Sequence, residues 1–487
     1  MISFYMGFYF MVHEVQNHYV VENWGKMVED DHISRFIVSF VDKYFDKLNI
    51  RKKKFKGSSK YSVRSMLKVL VYASHEGIAD VRKIEDSLKY NIVYKYVSGD
   101  ITPSYSVINN FQRAYDDVIT KYNKMLLKEF EEEELTNYDY QSIDGTYVKA
   151  NNSRFNVIHK DDLKTLLKYY ETGSISDDEI EQLKRPAYKL YKNEPQDVNE
   201  RIKLIKNLIS EINKSKQNTI PINDPESRWM TNKKGNPEPS YCVQFAVDYE
   251  AKIITGVVVT DEITDQHTFP EISDKCVENI GKKPKVFIAD TAYHNLVTFN
   301  HTEKRDFLVL TPTGKQTREK KKKLNPHPYH KDHFKYDNKK DVFICPEGQL
   351  LHHKYEYPKY DENGTIIKNI RVYRAEHCPN CPHKEECTPK NNKRTISENA
   401  TEYQLKMNTL LDQEKYQKIS NTRSSTVEPV IGAMRGENID NLQINSKKRL
   451  QETFNILMLG YNLKRKYNIL QKQKKEDTKT KQTKLVQ

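Results

Sequence analysis

The sequence predicts a mixed α/β protein whose first part is entirely helical. Apolar residues recur at three- and four-residue steps up to about residue 130, which is the spacing of amphipathic helices. Beyond that point, short β-branched and aromatic runs alternate with helical segments. At about 100 to 200 residues per domain, a chain of 487 residues that is 37% hydrophobic can bury several cores and form about two to four structural units.

The N-terminal region, residues 1–135, is predicted to contain a series of amphipathic helices. The last of them follows Pro103 and Ser104, where proline interrupts the preceding segment and serine can cap the new helix. The apolar residues that mark the four helices lie in the ranges 33–45, 63–71, 81–88 and 107–122. The basic loop at 51–56 could contact phosphates or be an ordinary solvated loop.

The α/β region begins at residue 136 and runs to 313, with a charged helical insertion at about 160–225. Its β-branched and aromatic runs are separated by turn residues and by a helix predicted over 270–280. The predicted strands are 140–150, 241–249, 252–260, 285–289 and 306–311.

The remainder of the chain divides into three parts. Residues 314–400 form an exposed basic connection that leads into a cysteine cluster, because the connection shows little apolar periodicity. Helical spacing returns over 401–466. The basic tail, 467–487, is predicted to be solvated and disordered.

The charge balance favours a polyanionic partner without requiring one. Lys and Arg number 80 against 67 Asp and Glu, a formal net charge of +13. The apolar run at 1–12 has no basic residue and is too short to cross a bilayer, and no other stretch approaches about 18 apolar residues. The composition therefore argues against a membrane protein, and we expect a cytoplasmic one.

Three carboxylates lie in contexts that suit metal chemistry. Asp144 and Asp290 follow apolar strand residues, so they are predicted at the rim of the sheet, and Glu428 lies in the C-terminal helical region. Carboxylates of this kind suit a pair of Mg²⁺ or Mn²⁺ ions. Such a pair, about 4 Å apart, can activate a water or a 3′-hydroxyl for in-line phosphoryl transfer. A carboxylate of this kind taken alone more often has a structural or solvated role, because the chain has 67 acidic residues.

Four of the six cysteines fall between residues 345 and 387, spaced as one cysteine, a C-x-x-C pair and one more. Cys345, Cys378, Cys381 and Cys387 match a closed tetrahedral site for structural zinc. Four sulfur ligands leave no open position, so this zinc would not be catalytic. Unliganded reduced cysteines are the alternative, and His377 and His383 are alternative ligands.

The short sequence motifs around these residues resemble those of DDE transposases of bacterial insertion sequences with an InsH-like N-terminal domain, most closely insertion-sequence family 1182. The resemblance extends from about Lys56 to Lys464. Its words are Tyr61-Ser62-Val63, Arg82-Lys83-Ile84-Glu85, the Gly99 to Pro103 turn, Phe111-Gln112-Arg113, Ser142-Ile143-Asp144-Gly145-Thr146, Tyr241-Cys242-Val243-Gln244, Ala246-Val247-Asp248, Ile288-Ala289-Asp290-Thr291-Ala292-Tyr293, and Thr426-Val427-Glu428-Pro429-Val430-Ile431-Gly432.

This resemblance implies an RNase H-like catalytic core with Asp144, Asp290 and Glu428 as the catalytic triad and ligands of two Mg²⁺ or Mn²⁺ ions. It also implies a cysteine-rich zinc-binding insertion, and phosphate contacts by Arg423 and Arg435. A tyrosine that relatives often carry three residues before Arg423 is Ser420 here.

The implied activity is transposition. The protein would bind the terminal inverted repeats of its element, cleave the ends and join the 3′-hydroxyls to target DNA. Its partners would be double-stranded DNA and, on that DNA, at least one further copy of the chain, with residues 1–135 as the DNA-binding domain and a location at the bacterial nucleoid. Two alternatives remain: an inactive zinc-stabilised DNA-binding protein derived from a transposase, and a stand-alone RNase H-like nuclease.

Overall fold

The computed structural model describes residues 23–486 except 57–59, 194–196, 216, 232–234, 361–365, 440–441 and 443. The apolar run at 1–12 therefore lies outside the described residues. The chain forms two compact units: one contains the residues up to Met125 together with those from Asn455 onward, and the other contains Leu126–Phe454. In the described ranges, no helix is both long and apolar enough to cross a membrane.

The first unit is helical, as predicted. Its described helices are Trp24–Met27 (3-10), Ile33–Phe45, Val63–His75, Val81–Tyr90, Ile92–Ser98 and Tyr105–Ala114, and the longer helices Asp116–Glu132 and Lys447–Val486 contain the boundaries between the units. Ile37, Val41 and Leu67 have no exposed surface, which places the apolar faces inside this unit. Helix Lys447–Val486 approaches helix Val63–His75 so closely at Gly460 that a Cβ there would overlap Ser74.

The prediction of a single long helix over 107–122 is wrong, because two helices cover this range. The chain leaves the helical conformation at Tyr115, with φ −115° and ψ 19°, and the fully buried Tyr115 ring stacks on Phe111. The next helix restarts with Asp116 and Asp117, which favour a helix N-terminus through its dipole. Helix Ile92–Ser98 was not predicted; Asn91 caps its start, and Gly99 ends it at φ 70°.

The second unit contains a six-stranded mixed sheet. Its strands are β1 (Tyr140–Lys149), β4 (Arg228–Thr231), β5 (Pro237–Asp248), β6 (Ile254–Thr260), β7 (Val286–Ile288) and β8 (Val309–Leu310), and β2 (Val157–His159) and β3 (Thr219–Pro221) form a separate ribbon. Across the sheet the order is β6-β5-β1-β7-β8, with β4 also on β5. β6, β5 and β1 are antiparallel, whereas β1, β7 and β8 are parallel.

Of the helices around this sheet, Phe269–Ile280 matches the predicted one, whereas Leu296–Arg305 was not predicted. Phe269–Ile280 and Leu296–Arg305 contribute Phe269, Ile272 and Phe299 to the core under the sheet. The charged insertion has its own core, which includes Leu163, Leu166 and Ile205. Its helices are Lys160–Thr172, Asp177–Glu181, Arg185–Asn193 and Val198–Ser215.

Residues 335–399 form a second sheet that the sequence did not predict. Its strands are β9 (Lys335–Asp337), β10 (Val342–Ile344), β11 (Leu350–Tyr360), β12 (Ile366–Ala375) and β13 (Thr395–Asn399), all antiparallel in the order β13-β12-β11-β10-β9. Helix Gly314–Lys320, 3-10 turns Lys331–His333 and Cys378–Asn380, and helix Lys384–Cys387 flank it. Phe343, Leu351 and Tyr373 lie in its core. Strands β9 and β10 are only three residues long, so the apolar signal in them is weak.

The C-terminal region is helical, as predicted. Its elements are Glu402–Asn408, Thr409–Asp412 (3-10), Glu414–Asn421, Arg423–Ile439 and Lys447–Val486. The predicted disordered tail is instead the end of the last helix, which reaches Val486. Lys472 and Glu476 form an i,i+4 pair on it, and its Lys, Gln and Glu residues are good helix formers, so high charge did not prevent helix formation.

Candidate active site

Asp144 and Asp290 occupy equivalent positions on neighbouring parallel strands. The last parallel pair joins Ser142 of β1 to Ile288 of β7, and each aspartate lies two residues further along its chain. Strand β1 continues to Lys149 through its pairing with β5. Asp144 therefore lies inside β1, just beyond the part that pairs with β7. This register places the two aspartates next to one another where the parallel pairing of β1 and β7 ends, as predicted.

Burial raises the pKa of Asp144, and the neighbouring Asp290 carboxylate raises it further. The Arg423 guanidinium, with Nη1 2.9 Å from Asp144 Oδ2, offsets part of this shift. The two side chains are 17% and 19% exposed, so the ion pair is largely shielded from water. One Asp290 oxygen accepts a hydrogen bond of 2.8 Å from the Ala292 backbone N–H, which fixes that carboxylate at the start of a 3-10 turn.

Arg423 is the first residue of helix Arg423–Ile439, which packs on β1 and β5. Val427 and Val430 form its buried side, and the Lys252 ammonium donates a 2.8 Å hydrogen bond to the Thr426 hydroxyl. Glu428 is exposed on this helix, and Arg435 is half-buried two turns further on. The structure therefore brings Asp144, Asp290 and Arg423 together and places Glu428 on the surface of the same helix.

A hydrogen-bonded network beside Asp144 was missed by the sequence analysis. The Gln244 side-chain N–H donates to Asp265 Oδ1 over 2.6 Å, and the buried Tyr293 hydroxyl donates to Gln244 Oε1. Burial, followed by the Asp265 charge, raises the pKa of Tyr293. Gln244 pairs directly with Gly145 in the sheet, so the network adjoins the residue that follows Asp144.

Gly145 leaves the space that this network needs. A Cβ at that position would overlap the Gln244 amide nitrogen and the Asp265 carboxylate. In the sequence, Gln244 and Tyr293 are marked only by their place in the motifs that carry the family resemblance. Nothing in the sequence marks Asp265, because carboxylates are common in turns. Tyr293 is a packed core residue, and burial lowers the pKa of His294, which contacts Asn408.

Asp144, Asp290 and Glu428 are the candidate ligands for a metal ion. Among the residues that the structure describes, no group of three or more His, Cys, Asp or Glu side chains is arranged to hold a metal ion. Asp144 and Asp290 do supply hard oxygen donors at one sheet edge, which is the donor chemistry that Mg²⁺ and Mn²⁺ prefer. Arg423 supplies positive charge at that position. The three-carboxylate cluster stays a prediction.

The four cysteines predicted to bind zinc line one small cavity. Cys345 Sγ accepts a hydrogen bond from the Gln349 backbone N–H (3.2 Å), and Cys378 Sγ accepts one from the Arg394 backbone N–H (3.3 Å). Burial raises the pKa of Cys387, and the other three cysteines contribute to the shift. All four are free thiols, and the described residues include no arranged metal site, so zinc stays a prediction.

Two known family models match parts of the chain. A model described as a transposase DDE domain matches residues 344–467, and one described as a transposase domain (DUF772) matches residues 22–114. These matches confirm the resemblance to DDE transposases of insertion sequences over those two segments. The first match includes Glu428, both arginines and the four cysteines, but neither Asp144 nor Asp290. The matches do not resolve the insertion-sequence family. Among curated proteins, none matches the chain.

Proposed function

We propose that the protein is a DNA transposase that binds the terminal inverted repeats of its element, cleaves the ends and joins the 3′-hydroxyls to target DNA. The observation that carries the proposal is the equivalent placement of Asp144 and Asp290 on parallel neighbours β1 and β7, with Arg423 beside Asp144. The order β6-β5-β1-β7-β8, antiparallel and then parallel, supports an RNase H-like core.

Asp144, Asp290 and Glu428 are the residues that would hold Mg²⁺ or Mn²⁺ in this protein. When bound, such ions activate the attacking oxygen and stabilise the leaving oxygen. For Glu428, its side chain would have to turn from the exposed surface of its helix toward the sheet edge. The aspartates are already fixed there by strand register and by the Ala292 N–H.

Arg423 and Arg435 are proposed to contact DNA phosphates. Arginine suits this role because its guanidinium is always charged and donates several hydrogen bonds in a fixed plane. Arg423 pairs with Asp144 in the structure, so it would exchange a carboxylate for a phosphate when DNA and cations enter the site. We assign end recognition to the helical N-terminal region and expect two or more copies to assemble, because two element ends must be held together.

The Cys345, Cys378, Cys381 and Cys387 cavity is proposed to hold structural zinc. The two backbone N–H groups that point at Cys345 and Cys378 would stabilise thiolates, which are the ligand form of cysteine. This role stabilises the second sheet and leaves the phosphoryl-transfer chemistry to the carboxylates.

A cleavage and strand-transfer assay with the DNA that flanks the gene tests the proposal. Asp144→Asn, Asp290→Asn and Glu428→Gln should each lower cleavage by more than about 100-fold, because a lost ligand costs more than a lost supporting contact. The matched control is Asp178→Asn, an exposed carboxylate in the insertion, which should be active. Full activity in the Asp144 or Glu428 variant would overturn the catalytic assignment. Cleavage without joining would indicate a nuclease, and DNA binding without cleavage an inactive derivative.

A further inference from the structure

The second sheet contains a two-stranded ribbon, β11 and β12, whose two faces differ sharply in charge. The register pairs Tyr355 with Val372, Tyr357 with Ile370 and Lys359 with Lys368. Directly paired residues in an antiparallel ribbon share a face, and alternate residues along a strand do too. We call this side the outer face; its exposed residues are Tyr355, Tyr357, Lys359 and Lys368, its half-buried residues are Ile370 and Arg374, and Val372 on the same side is buried.

The opposite face holds the acidic partners. Arg371, on that face, is almost completely buried and pairs with Asp341 (2.7 Å) and Glu356 (2.9 Å). The Tyr373 hydroxyl also donates to Asp341, over 2.7 Å, and its ring lies in the core of the sheet. The charges of this face are therefore neutralised within the sheet, which fixes the ribbon in one orientation.

Among the described residues of the ribbon, the outer face has positive charge and no carboxylate. Lys359 and Lys368 are exposed and lie directly opposite one another, an arrangement of like charges that destabilises a ribbon. Within the described parts of the chain, neither lysine nor Arg374 forms an ion pair with a carboxylate. The repulsion between the lysines would be relieved by an anionic partner.

Two aromatic rings extend this basic surface. Tyr355 and Tyr357 are 50% and 41% exposed, and their rings stack with centroids 6.2 Å apart. Exposed tyrosines beside lysines suit a nucleic acid, because the amphipathic rings can lie against sugars and bases while the ammonium groups contact phosphates. Lysine is depleted at protein–protein interfaces, which argues against a second protein as the occupant.

We propose that the outer face of the β11–β12 ribbon binds duplex DNA outside the carboxylate site. The inference rests on the proposed function, because it assumes a DNA-processing protein. Duplex DNA is the chosen occupant, since the outer end of the ribbon, where β11 and β12 pair only with each other, fits the width of the major groove. The contacts available are phosphate contacts, so the surface would hold DNA without reading its sequence.

Fluorescence anisotropy of the full-length protein with a labelled duplex from the gene's flanking DNA tests this proposal. Lys359→Gln combined with Lys368→Gln should weaken binding roughly tenfold and reduce the slope of log affinity against log salt by about 2. The matched control, Lys164→Gln with Lys168→Gln, removes two exposed lysines from the insertion and should leave both values unchanged. Charge reversal, Lys359→Glu with Lys368→Glu, should weaken binding further.

Three outcomes would overturn the proposal. One is an unchanged affinity and salt slope in both ribbon variants while the wild-type protein still binds and cleaves DNA; the proposed function would then stand without the ribbon. Another is a loss confined to a single-stranded probe, which would exclude the duplex as occupant. The third is a change of oligomeric state without DNA, measured by light scattering, which would make the face a subunit contact. Failure of the wild-type protein to bind any DNA would overturn both proposals.

Discussion

The Arg423 guanidinium lies 2.9 Å from the Asp144 carboxylate and joins the helix Arg423–Ile439 to strand β1. Both side chains are less than a fifth exposed, so water screens the attraction between them less than in a surface ion pair. The arginine thus supplies a positive charge where Asp144 and Asp290 converge. It also links the helix that contains Glu428 to the sheet.

Removal of this arginine should destabilise the second unit when divalent cations are chelated. Arg423→Gln leaves Asp144 partly buried without its partner, and the free energy of unfolding should fall by about 2 kcal/mol. Urea denaturation followed by circular dichroism in EDTA measures the change. Arg305→Gln is the control, because its ion pair with Asp274 is exposed and should be worth less than about 1 kcal/mol. Equal stability of the two variants would refute the structural role of Arg423.

Substitution of Gly145 should disturb the site without removing a functional group. Gly145→Ala places a Cβ against Gln244 and Asp265. We therefore expect the free energy of unfolding to fall by about 1 to 3 kcal/mol and cleavage to weaken. Gly432→Ala is the matched control, since a Cβ there meets nothing within 4 Å. The higher helix propensity of alanine should raise the free energy of unfolding by up to about 1 kcal/mol. Thermal unfolding and the cleavage assay report the two effects, and a neutral Gly145→Ala would contradict the observed crowding.

Asp248 should make stability depend on pH in a predictable direction. Burial raises the pKa of this carboxyl to about 6, so the folded state binds its proton more tightly than the unfolded chain does. The Asp248 contribution to stability is therefore present at low pH and falls as the pH rises from about 4 to about 6. The difference in unfolding free energy between wild type and Asp248→Asn, measured by urea titration at each pH, should show this trend. A constant difference across that window would be contrary evidence.

Metal analysis of the purified protein should find about one zinc per chain. Cys378→Ser combined with Cys381→Ser should lose that zinc, because it removes two of the four thiols that line the cavity. Cys276→Ser should retain it, since Cys276 is buried on helix Phe269–Ile280, where it contacts Thr255 of strand β6. Undiminished zinc in the double variant would mean that other residues are the ligands.

Much of the architecture could be predicted because its signals are local. The helix Ile33–Phe45 and the strands β1, β5 and β6 follow directly from apolar spacing. The second sheet could not be predicted in this way. Two of its strands, β9 and β10, are only three residues long, and Arg371 is buried in the sheet through pairs with Asp341 and Glu356.

The sequence by itself determined the mixed α/β class, the helical first region and the candidate carboxylates, because spacing and short words are properties of neighbouring residues. Only the tertiary structure decided which of these residues meet. Strand register places Asp144 beside Asp290, helix packing places Arg423 on Asp144, and the sheet places Gln244 between Asp265 and Tyr293. Such contacts join residues far apart in the chain, and their pairing depends on the packing of the whole unit.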